Sequence, residues 1–294
     1  MKNILLDLSE NDRVLVLGAS GWFGKTAVEL STARGASVMS RTSNGNELLG
    51  KVPHFELSNS FQKCLDFQPS VVIDCAFVTR QLISSYGMAK YLSTNKNLMG
   101  QALQLQAQPF VRRFIGISSG AAVPYLLEEN RDQKLDPYGF LKASYERMLT
   151  NREGLSKQNV VLIRPYSVSG KNCRARGIYA LYDLIEQSKS RSIQIKSREL
   201  VYRRYTDVED LLRVALLVPT GGGIIESGGE LIEIGDLAKL IIEELDSGAE
   251  IERTIQLNGK DSYHSDNESW KLATATVGIQ PKSLREQIRV SANR

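Results

Sequence analysis

The sequence predicts an α/β protein with a doubly wound parallel sheet. Apolar segments of strand length alternate with helical segments through the first half of the chain, which is typical of a parallel sheet covered by helices on both faces. The first of these strands, residues 14–17, is apolar throughout and runs into three glycines spaced three residues apart. With 294 residues, the chain is long enough for one large domain or two modest ones.

The remaining elements follow from apolar runs and from the residues that begin and end them. A helix is predicted at 22–33, with Ala27, Val28 and Leu30 on its packed side. Further strands are predicted at 36–40, 54–57, 70–76, 111–117 and 159–164, and further helices at 58–66, 84–107, 138–153, 178–188, 207–217 and 234–245. We expect a glycine-rich irregular stretch at 220–229.

The pattern predicts two regions. The first covers residues 1–165, and its core continues in part through 201–226. The second, a smaller and less regular α/β region, covers 166–294. Pro165 ends the sixth strand of the first region and marks the boundary, because proline cannot donate to a strand ladder.

Composition excludes several classes of protein. A content of 42% hydrophobic and 24% charged residues is ordinary for a soluble globular protein, and a net charge of +4 does not by itself indicate nucleic-acid binding. We find no signal peptide and no apolar run of membrane length. The cysteines at 64, 75 and 173 have no metal-ligand spacing, and their odd number fits reduced thiols. We therefore expect a cytoplasmic protein with no bound metal, nucleic acid or membrane.

The glycines at 18, 21 and 24 predict a phosphate-binding turn of Rossmann type. The first glycine allows the tight turn, the second lets the backbone approach a phosphate, and the third lets the helix lie close to the strand. Free N–H groups at the start of the helix would hold a pyrophosphate. The residues expected to contact a dinucleotide at this turn are Gly18, Ser20, Gly21, Trp22, Phe23 and Gly24.

A phosphate loop of the nucleoside-triphosphatase type is the alternative interpretation of the same stretch. Residues 24–26 match the end of the pattern G-x-x-x-x-G-K-[ST], and Asp74 after an apolar run could hold magnesium. The first glycine of that pattern falls on Ala19, however, since Gly18 lies one residue too early. Three glycines in register outweigh a pattern without its first glycine, so we favour the dinucleotide over the triphosphatase. A glycine-rich turn without a ligand is the remaining alternative.

The end of the second predicted strand favours NADP over NAD. In sheets of this type an acidic residue at that position holds the ribose 2′-hydroxyl of NAD. Here the position is Ser40, followed by Arg41, so no carboxylate repels a 2′-phosphate and a guanidinium is available to pair with it. We therefore expect NADP, with NAD as the less favoured coenzyme. The alternative is a surface arginine after a strand, which is common.

A candidate catalytic group follows the fifth predicted strand. That strand ends in Ser118 and Ser119, at the sheet edge where ligands bind. Tyr138 and Lys142 are four residues apart and so project from one face of the next helix. A tyrosine can serve as general acid or base, and a neighbouring lysine lowers its pKa from a free value of about 10. The alternative is a packed surface tyrosine and a solvated lysine.

The glycine turn, the Ser-Ser strand end and the Tyr-x-x-x-Lys helix together resemble the extended short-chain dehydrogenase/reductase family. This family comprises NAD(P)-dependent nucleotide-sugar epimerases, dehydratases and reductases. The resemblance covers nearly the whole chain. Residues 71–76 are similar to the family's VVIHLA strand, 163–170 to LRPFNVYG, 203–210 to RDYIHVDD and 277–281 to LGWKP.

The resemblance implies roles for further residues. Lys142 would hold the nicotinamide ribose as well as act on Tyr138. A serine from the strand end would hold the substrate oxygen, and we expect Ser119 in this role with Ser118 as the second choice. The other positions expected to contact the coenzyme are Leu57, Ala76, Asn95 and Pro165.

Substrate recognition is expected in the second region. Arg203 matches an arginine that grips the substrate diphosphate in several family members, and Ser167 stands where many members contact substrate with an asparagine. Between residues 152 and 204, twelve Lys or Arg stand against four Asp or Glu, which indicates either an anionic ligand or a solvated basic face. The resemblance also implies a homodimer that pairs through helices 84–107 and 138–153.

These observations predict an NADP-dependent oxidoreductase or epimerase acting on a nucleotide-activated sugar. An epimerase recycles its hydride whereas a reductase consumes it, so the expected NADP favours a ketosugar reductase. The alternatives are a reductase of a non-sugar carbonyl compound and a non-catalytic NADP-binding sensor. The presence of both Tyr138 and Lys142 argues against the sensor, which needs neither.

Overall fold

The computed structural model describes residues 8–41, 54–55, 61–128, 131–150, 159–173, 176–219, 223–254 and 259–293. The chain divides into two units. The first consists of residues 1–165 and 212–225, and the second of residues 166–211 and 226–294.

Strands and helices alternate along the chain. The strands are β1 (Arg13–Leu17), β2 (Ser37–Arg41), β3 (His54–Phe55), β4 (Val71–Asp74), β5 (Arg113–Ile117), β6 (Val160–Arg164), β7 (Ser167–Ser169), β8 (Ser192–Gln194), β9 (Leu200–Asp207), β10 (Gly223–Glu226), β11 (Leu231–Glu233), β12 (Glu250–Glu252) and β13 (Lys260–Ser262). The helices are α1 (Trp22–Ala33), α2 (Phe61–Asp66), α3 (Ile83–Tyr86), α4 (Met88–Gln106), α5 (Val123–Leu127), α6 (Pro137–Thr150), α7 (Ala180–Gln187), α8 (Val208–Leu217), α9 (Ile234–Glu244), α10 (Glu268–Val277) and α11 (Leu284–Ala292).

A seven-stranded sheet forms the centre of the first unit. Its strands lie in the order β10-β6-β5-β4-β1-β2-β3, and the pairs from β6 through to β3 are parallel. The predicted doubly wound parallel α/β fold is confirmed. The strand order reverses between β1 and β4, so the carboxyl ends of these two strands border the crevice where open α/β sheets bind ligands.

The main core of the first unit packs strands against helices α4 and α6. Leu15, Val72 and Phe114 of the sheet are fully buried together with Tyr91 of α4 and Leu149 of α6. Burial of one large apolar side chain contributes about 1.5–3 kcal/mol. This packing holds α6, which carries the predicted catalytic pair, in a defined position on the sheet.

Two predicted elements differ from the structure. The single helix expected at 84–107 is broken at Gly87, whose φ of 72° no helix accommodates, and α3 ends there before α4 begins. The stretch expected to be irregular at 220–229 contains β10, a seventh strand beside β6. The glycines made a strand here hard to predict, because its pairing partner, β6, lies about sixty residues earlier in the chain.

The third predicted strand is described only in part. His54 and Phe55 pair with β2 in parallel, while Leu57, one of the predicted coenzyme contacts, lies outside the described residues. The predicted start of the next helix at residue 58 also falls outside them, and α2 begins at Phe61.

Arg113 is a buried cation at the start of β5. Its guanidinium donates to the carbonyl oxygens of Ala215 and Val218, at 2.7 Å each. These carbonyls belong to the end of α8, where orphan acceptors and the negative end of the helix dipole favour a cation. Burial lowers the pKa of Arg113 to about 10, so the side chain stays charged at neutral pH.

The second unit contains a four-stranded sheet and a two-stranded sheet. In the larger sheet β9 pairs with β11 in antiparallel orientation and with β13 and β7 in parallel. In the smaller, β8 pairs with β12 in parallel. Lys282 forms ion pairs with the buried carboxylates of Asp207 and Asp210, at 3.0 Å each, and so ties the segment before α11 to the end of β9 and the first turn of α8.

The described part of the chain holds no helix with the length and apolar composition needed to span a bilayer. Nor do the described residues include a cluster of three or more His, Cys, Asp or Glu side chains arranged to bind a metal ion.

Candidate functional site

The glycine turn joins β1 to α1. Gly18 has a φ of 71°, and its N–H donates to the carbonyl oxygen of Arg41 at 2.8 Å. A Cβ on Gly24 would lie 2.2 Å from the carbonyl oxygen of Gly18, so only glycine lets the helix pass this close to the turn. At Gly21, the N-cap of α1, a Cβ would meet only the Gly18 carbonyl oxygen, at 3.3 Å. A ligand can therefore approach the Cα of Gly21 closely, while the Gly21 N–H donates to the Gly18 carbonyl oxygen at 3.0 Å.

The start of α1 favours an anion over a magnesium site. The N-cap, Gly21, brings no side chain to the helix start, and the first turn contains no acidic residue. Thr26, the hydroxyl residue of the alternative triphosphatase pattern, is 2% exposed and donates to the carbonyl oxygen of Trp22. Its hydroxyl is turned into the helix and is not available to a metal. The dinucleotide interpretation therefore agrees better with the geometry.

A cavity of about 210 Å³ lies over the carboxyl ends of β1, β2 and β4. Five predicted coenzyme residues line it: Gly18, Ser20, Gly21, Arg41 and Ala76. Sequence reasoning missed other lining residues, among them Cys75, Phe77 and Val78 after β4 and Thr94, Leu98 and Gln101 on α4. No sequence motif marks these residues as coenzyme contacts. Folding brings them to the cavity, three from the loop after β4 and three from α4.

Arg41 lies at the end of β2 and lines this cavity, while its neighbour Ser40 is fully buried. The Arg41 guanidinium lies 5.9 Å from the centre of the Phe61 ring. Burial lowers the pKa of Arg41, and the charge of Asp74 opposes that shift. The second strand thus ends in a cation beside the cavity.

Asn95 has an indirect place in the site. Its side chain is fully buried on α4, accepts from the N–H of Val78 at 2.8 Å and donates to the Val78 carbonyl oxygen at 3.2 Å. Val78 in turn lines the cavity. Asn95 therefore holds the loop after β4 in the shape that borders the cavity.

The predicted pair on α6 lies together in the structure. The Nζ of Lys142 is 5.9 Å from the centre of the Tyr138 ring. The Tyr138 ring packs edge-on against Phe77, with ring centres 5.5 Å apart, and the guanidinium of Arg80 lies 5.3 Å from the Tyr138 ring centre. Arg80 also forms an ion pair with Asp136, at 2.6 Å, just before α6. Tyr138 is half-buried within this group.

Lys142 is buried, with 4% of its surface exposed. Its Nζ donates to the carbonyl oxygen of Ile117 at 2.7 Å and lies 3.8 Å from the centre of the Phe77 ring. Burial lowers the pKa of Lys142 to about 8, while the charge of Asp74 acts in the opposite direction. Lys142 therefore changes its protonation state close to the physiological range.

The two serines at the end of β5 have different partners. The Ser118 hydroxyl donates to the buried carboxylate of Glu146 at 2.5 Å, and Glu146 forms an ion pair with Arg164 at 2.6 Å. The Ser119 hydroxyl accepts from the N–H of Ala121 at 3.2 Å, and its own proton can still be donated. This difference favours Ser119 as the serine that serves a substrate.

Four further residues predicted to contact the coenzyme are Trp22, Phe23, Gly24 and Pro165. Trp22 and Phe23 open α1, with ring centres 6.4 Å apart, and Gly24 is buried against the turn. The carbonyl oxygen of Pro165 accepts from the N–H of Gly120 at 2.9 Å, which joins the end of β6 to the turn after Ser119.

Both predicted substrate residues outside β5 belong to the second unit. Ser167 on β7 lies opposite Tyr205 of β9. Arg203 on β9 forms an ion pair of 2.6 Å with Asp261, whose side chain is 47% exposed, and lies 5.8 Å from the centre of the Tyr263 ring. An exposed carboxylate is a partner that an incoming anion can replace.

A buried hydrogen bond joins Tyr145 to Asp74, two residues that the sequence analysis did not connect. The Tyr145 hydroxyl donates to Asp74 at the end of β4, at 2.5 Å. Tyr145 is three residues beyond Lys142 on α6, so Tyr138, Lys142 and Tyr145 share one helical face. This periodicity was the available signal, but the partner on β4 could be found only in the fold.

Comparisons with known proteins agree with this geometry. The model of the NAD dependent epimerase/dehydratase family matches residues 14–226. No curated protein matches the sequence. The UDP-glucose 4-epimerase of Brucella ovis, solved with NAD, has a TM-score of 0.73 at 17% identity, covering 96% of this chain and 97% of the epimerase.

Two further solved structures are similar to a comparable degree. The UDP-glucose 4-epimerase of Thermotoga maritima, solved with UDP-glucose, has a TM-score of 0.72 at 19% identity, covering 95% of this chain and 97% of that one. TunA, an NAD-dependent NDP-hexosamine 5,6-dehydratase of tunicamycin biosynthesis, has a TM-score of 0.72 at 17% identity, covering 95% and 96%. At these identities the likeness establishes a shared fold.

Proposed function

Since the chain belongs to the NAD dependent epimerase/dehydratase family and is an enzyme of its extended short-chain type, we propose that it catalyses hydride transfer between NADP and a nucleotide-activated sugar. The observation that carries this proposal is the pair Tyr138 and Lys142 on α6, with the Lys142 Nζ 5.9 Å from the tyrosine ring. Ser119, at the end of β5, completes the group.

The residues of the first unit fit a dinucleotide. The close approach that Gly21 allows and the start of α1, which has no side-chain cap, suit a pyrophosphate, and Ser20 and Ala76 line the adjoining cavity. A bound nicotinamide coenzyme would supply or accept the hydride. Lys142 would hold its ribose.

Side chains of the protein would carry out the proton transfer. Tyr138 would give a proton to the substrate oxygen in reduction, or take one in oxidation. The Lys142 cation would lower the pKa of the Tyr138 phenol, because an adjacent positive charge stabilises the phenolate. The Ser119 hydroxyl would donate a hydrogen bond to the same substrate oxygen and so fix the substrate's position.

Preference for NADP is supported by Arg41. It stands at the end of β2, lines the cavity and follows Ser40, which brings no carboxylate to that position. A guanidinium can form two charge-assisted hydrogen bonds with a 2′-phosphate. Several solved relatives are described with NAD, so this preference is proposed for the present chain from its own residues.

A nucleotide sugar is supported as substrate by the second unit and by the kind of relatives found. Arg203 offers a guanidinium whose partner, Asp261, is exposed enough to be replaced by a diphosphate. Ser167 on β7 offers a hydroxyl to the same class of ligand. Among the possible reactions we favour a ketosugar reductase, since NADPH serves net reduction, with epimerisation as the alternative.

We further propose a cytoplasmic homodimer. All three cysteines are free thiols, as expected in a reducing compartment. Apolar side chains are exposed around α4 and α6: Met88 at 44%, Leu127 at 79%, Leu135 at 71% and Met148 at 45%. Exposed apolar groups of this kind favour association of two copies through these helices.

The test is a turnover assay with NADPH and NADP against a panel of nucleoside-diphosphate sugars and ketosugars. Coenzyme absorbance reports net reduction or oxidation, and NMR of the sugar reports epimerisation without net change in coenzyme. Turnover of a nucleotide sugar supports the proposal. Turnover of non-sugar carbonyl compounds alone, or coenzyme binding with no turnover of any substrate, contradicts it.

A further inference from the structure

Asp74 lies at the carboxyl end of β4 and is held from two sides. Its Oδ2 accepts from the Tyr145 hydroxyl at 2.5 Å, and its Oδ1 accepts from the N–H of Ala76 at 3.1 Å. Only 6% of its surface is exposed. A buried carboxylate with two directed donors is held in a fixed orientation, because each donor constrains one of its oxygens.

Gly116 gives Tyr145 the room to reach Asp74. On the sheet, Gly116 of β5 lies directly opposite Asp74 of β4. A Cβ at position 116 would lie 3.1 Å from the Tyr145 hydroxyl oxygen and 3.0 Å from Leu162. A side chain there would therefore crowd both neighbours. The buried hydrogen bond between Tyr145 on α6 and Asp74 on β4 therefore depends on the absence of a side chain at Gly116 on β5.

Tyr145 connects Asp74 to Lys142: its hydroxyl donates to Asp74, and the Lys142 Nζ lies 5.9 Å from the centre of its ring. The charge of Asp74 therefore acts on Lys142. Burial lowers the pKa of Lys142, and Asp74 is the largest of the influences that raise it, ahead of Cys75 and Glu146. In turn, burial raises the pKa of Asp74, and the Tyr145 hydrogen bond and the Lys142 charge lower it. The two groups therefore favour each other's charged forms.

The other described ionisable groups around this pair do not supply Lys142 with the negative charge that Asp74 supplies. Glu146 is already paired with Arg164 and accepts from Ser118. Burial raises the pKa of the Cys75 thiol and that of the Tyr145 phenol, so both are neutral at physiological pH. Arg41 carries the same sign of charge as Lys142. Among the described groups facing Lys142, Asp74 is therefore the carboxylate that most stabilises the charged form of the lysine.

We propose that Asp74 is a positioning residue of the active site, held by Tyr145 and Ala76, whose carboxylate keeps Lys142 protonated where the lysine serves the coenzyme. The inference rests on the proposed function, since it assumes that Lys142 contacts the coenzyme. Asp74 itself acts through Lys142. Its effect should therefore depend on pH and should vanish when Lys142 is absent.

The experiment measures the dissociation constant of NADP by calorimetry between pH 6 and 9. In the wild type, affinity should fall above about pH 8 as Lys142 loses its proton. If Asp74→Asn lowers the lysine pKa by about one unit, affinity should match the wild type at pH 6 and be weaker by about threefold at pH 7.5 and tenfold at pH 9. Forming the ratio of variant to wild type removes titrations that both share.

Three further variants complete the design. Tyr145→Phe keeps the ring and removes one anchor, so its ratio should change with pH in the same direction by a smaller amount. Asp66→Asn makes the same chemical change at an exposed position of α2 and should follow the wild type. Adding Asp74→Asn to Lys142→Met should change nothing further, because two residues that act as a unit are not additive.

The outcomes separate this inference from the proposed function. A wild type that binds no nicotinamide dinucleotide at any pH overturns both. A wild type that binds, with Asp74→Asn showing either an unchanged affinity or a loss of equal size at every pH, overturns the inference alone. If Asp74→Asn does not fold, the pH dependence of Tyr145→Phe decides, and a profile parallel to the wild type counts against the role of Asp74.

Discussion

The ammonium of Lys142 lies beneath the ring of Phe77, with its Nζ 3.8 Å from the ring centre. Phe77 follows β4 and also packs against Tyr138. One aromatic side chain thus covers the lysine and borders the tyrosine of the proposed catalytic pair. Cover of this kind excludes water, and the exclusion of water is what lowers the pKa of a buried lysine.

Phe77→Ala should raise the pKa of Lys142 from about 8 toward its usual range, because water then reaches the ammonium. The alkaline fall in NADP affinity should move to higher pH, opposite to the effect of Asp74→Asn. Calorimetry over the same pH range measures it. Phe77→Leu is the matched control, since leucine keeps the apolar cover. A downward shift in Phe77→Ala would show that the ring acts mainly by cation–π attraction.

Tyr138→Phe should leave the fold and NADP affinity nearly intact, because the ring that packs on Phe77 is kept. General acid–base catalysis by a positioned group contributes about 10²–10⁴-fold, or roughly 3–5 kcal/mol of barrier, so kcat should fall by at least about two orders of magnitude. Single-turnover hydride transfer followed by coenzyme absorbance measures the loss. Turnover at the wild-type rate would leave Tyr138 with a structural role only.

Arg41→Ala should weaken NADP binding by roughly ten- to a hundredfold, the range expected for charge-assisted hydrogen bonds, and should leave NAD binding nearly unchanged. The wild type should bind NADP more tightly than NAD. Calorimetry with both coenzymes decides the point. Arg34→Ala removes the same charge at the end of α1, outside the cavity, and should have little effect. Equal or tighter binding of NAD by the wild type would refute the proposed preference.

Arg203→Ala should raise KM for a nucleotide sugar, because the guanidinium that would pair with the diphosphate is lost. Coenzyme affinity should change less. Asp261→Asn is an informative partner variant, since it releases Arg203 from its ion pair and should lower KM or leave it unchanged. Steady-state kinetics on the substrate found in the panel assay measure both. An increase in KM of the same size in both variants would indicate that the ion pair itself is what matters.

Gly24→Ala should destabilise the first unit by at least about 2 kcal/mol, because the new Cβ would lie 2.2 Å from the Gly18 carbonyl oxygen and would force α1 away from the turn. Gly21→Ala is the matched comparison: its Cβ meets the same oxygen at 3.3 Å, so stability should change little while NADP affinity falls. Urea unfolding and calorimetry separate the two effects. Equal stability of both variants would contradict the close approach at Gly24.

Local patterns in the sequence were sufficient for much of the fold and part of the site. The helix predicted at 22–33 is α1, and the glycine turn before it has the left-handed residue that its first glycine predicts. The four-residue spacing of Tyr138 and Lys142 places both on one face of α6 because helical periodicity is a property of neighbouring residues. The family itself was recognisable from these short motifs, and the match over residues 14–226 confirms it.

Other features were decided only when distant parts of the chain came together. The strand β10 becomes part of the sheet by pairing with β6, and no local pattern marks that partner. Phe77 and Tyr145 look ordinary in sequence, and Asp74 was considered there only as a magnesium ligand. The fold places Phe77 over the Lys142 ammonium and joins Asp74 to Tyr145 by a buried hydrogen bond. The sequence by itself determined which groups can do chemistry. Tertiary packing decided how strongly they are desolvated and which charges they face, because burial and charge separation depend on neighbours contributed by several elements.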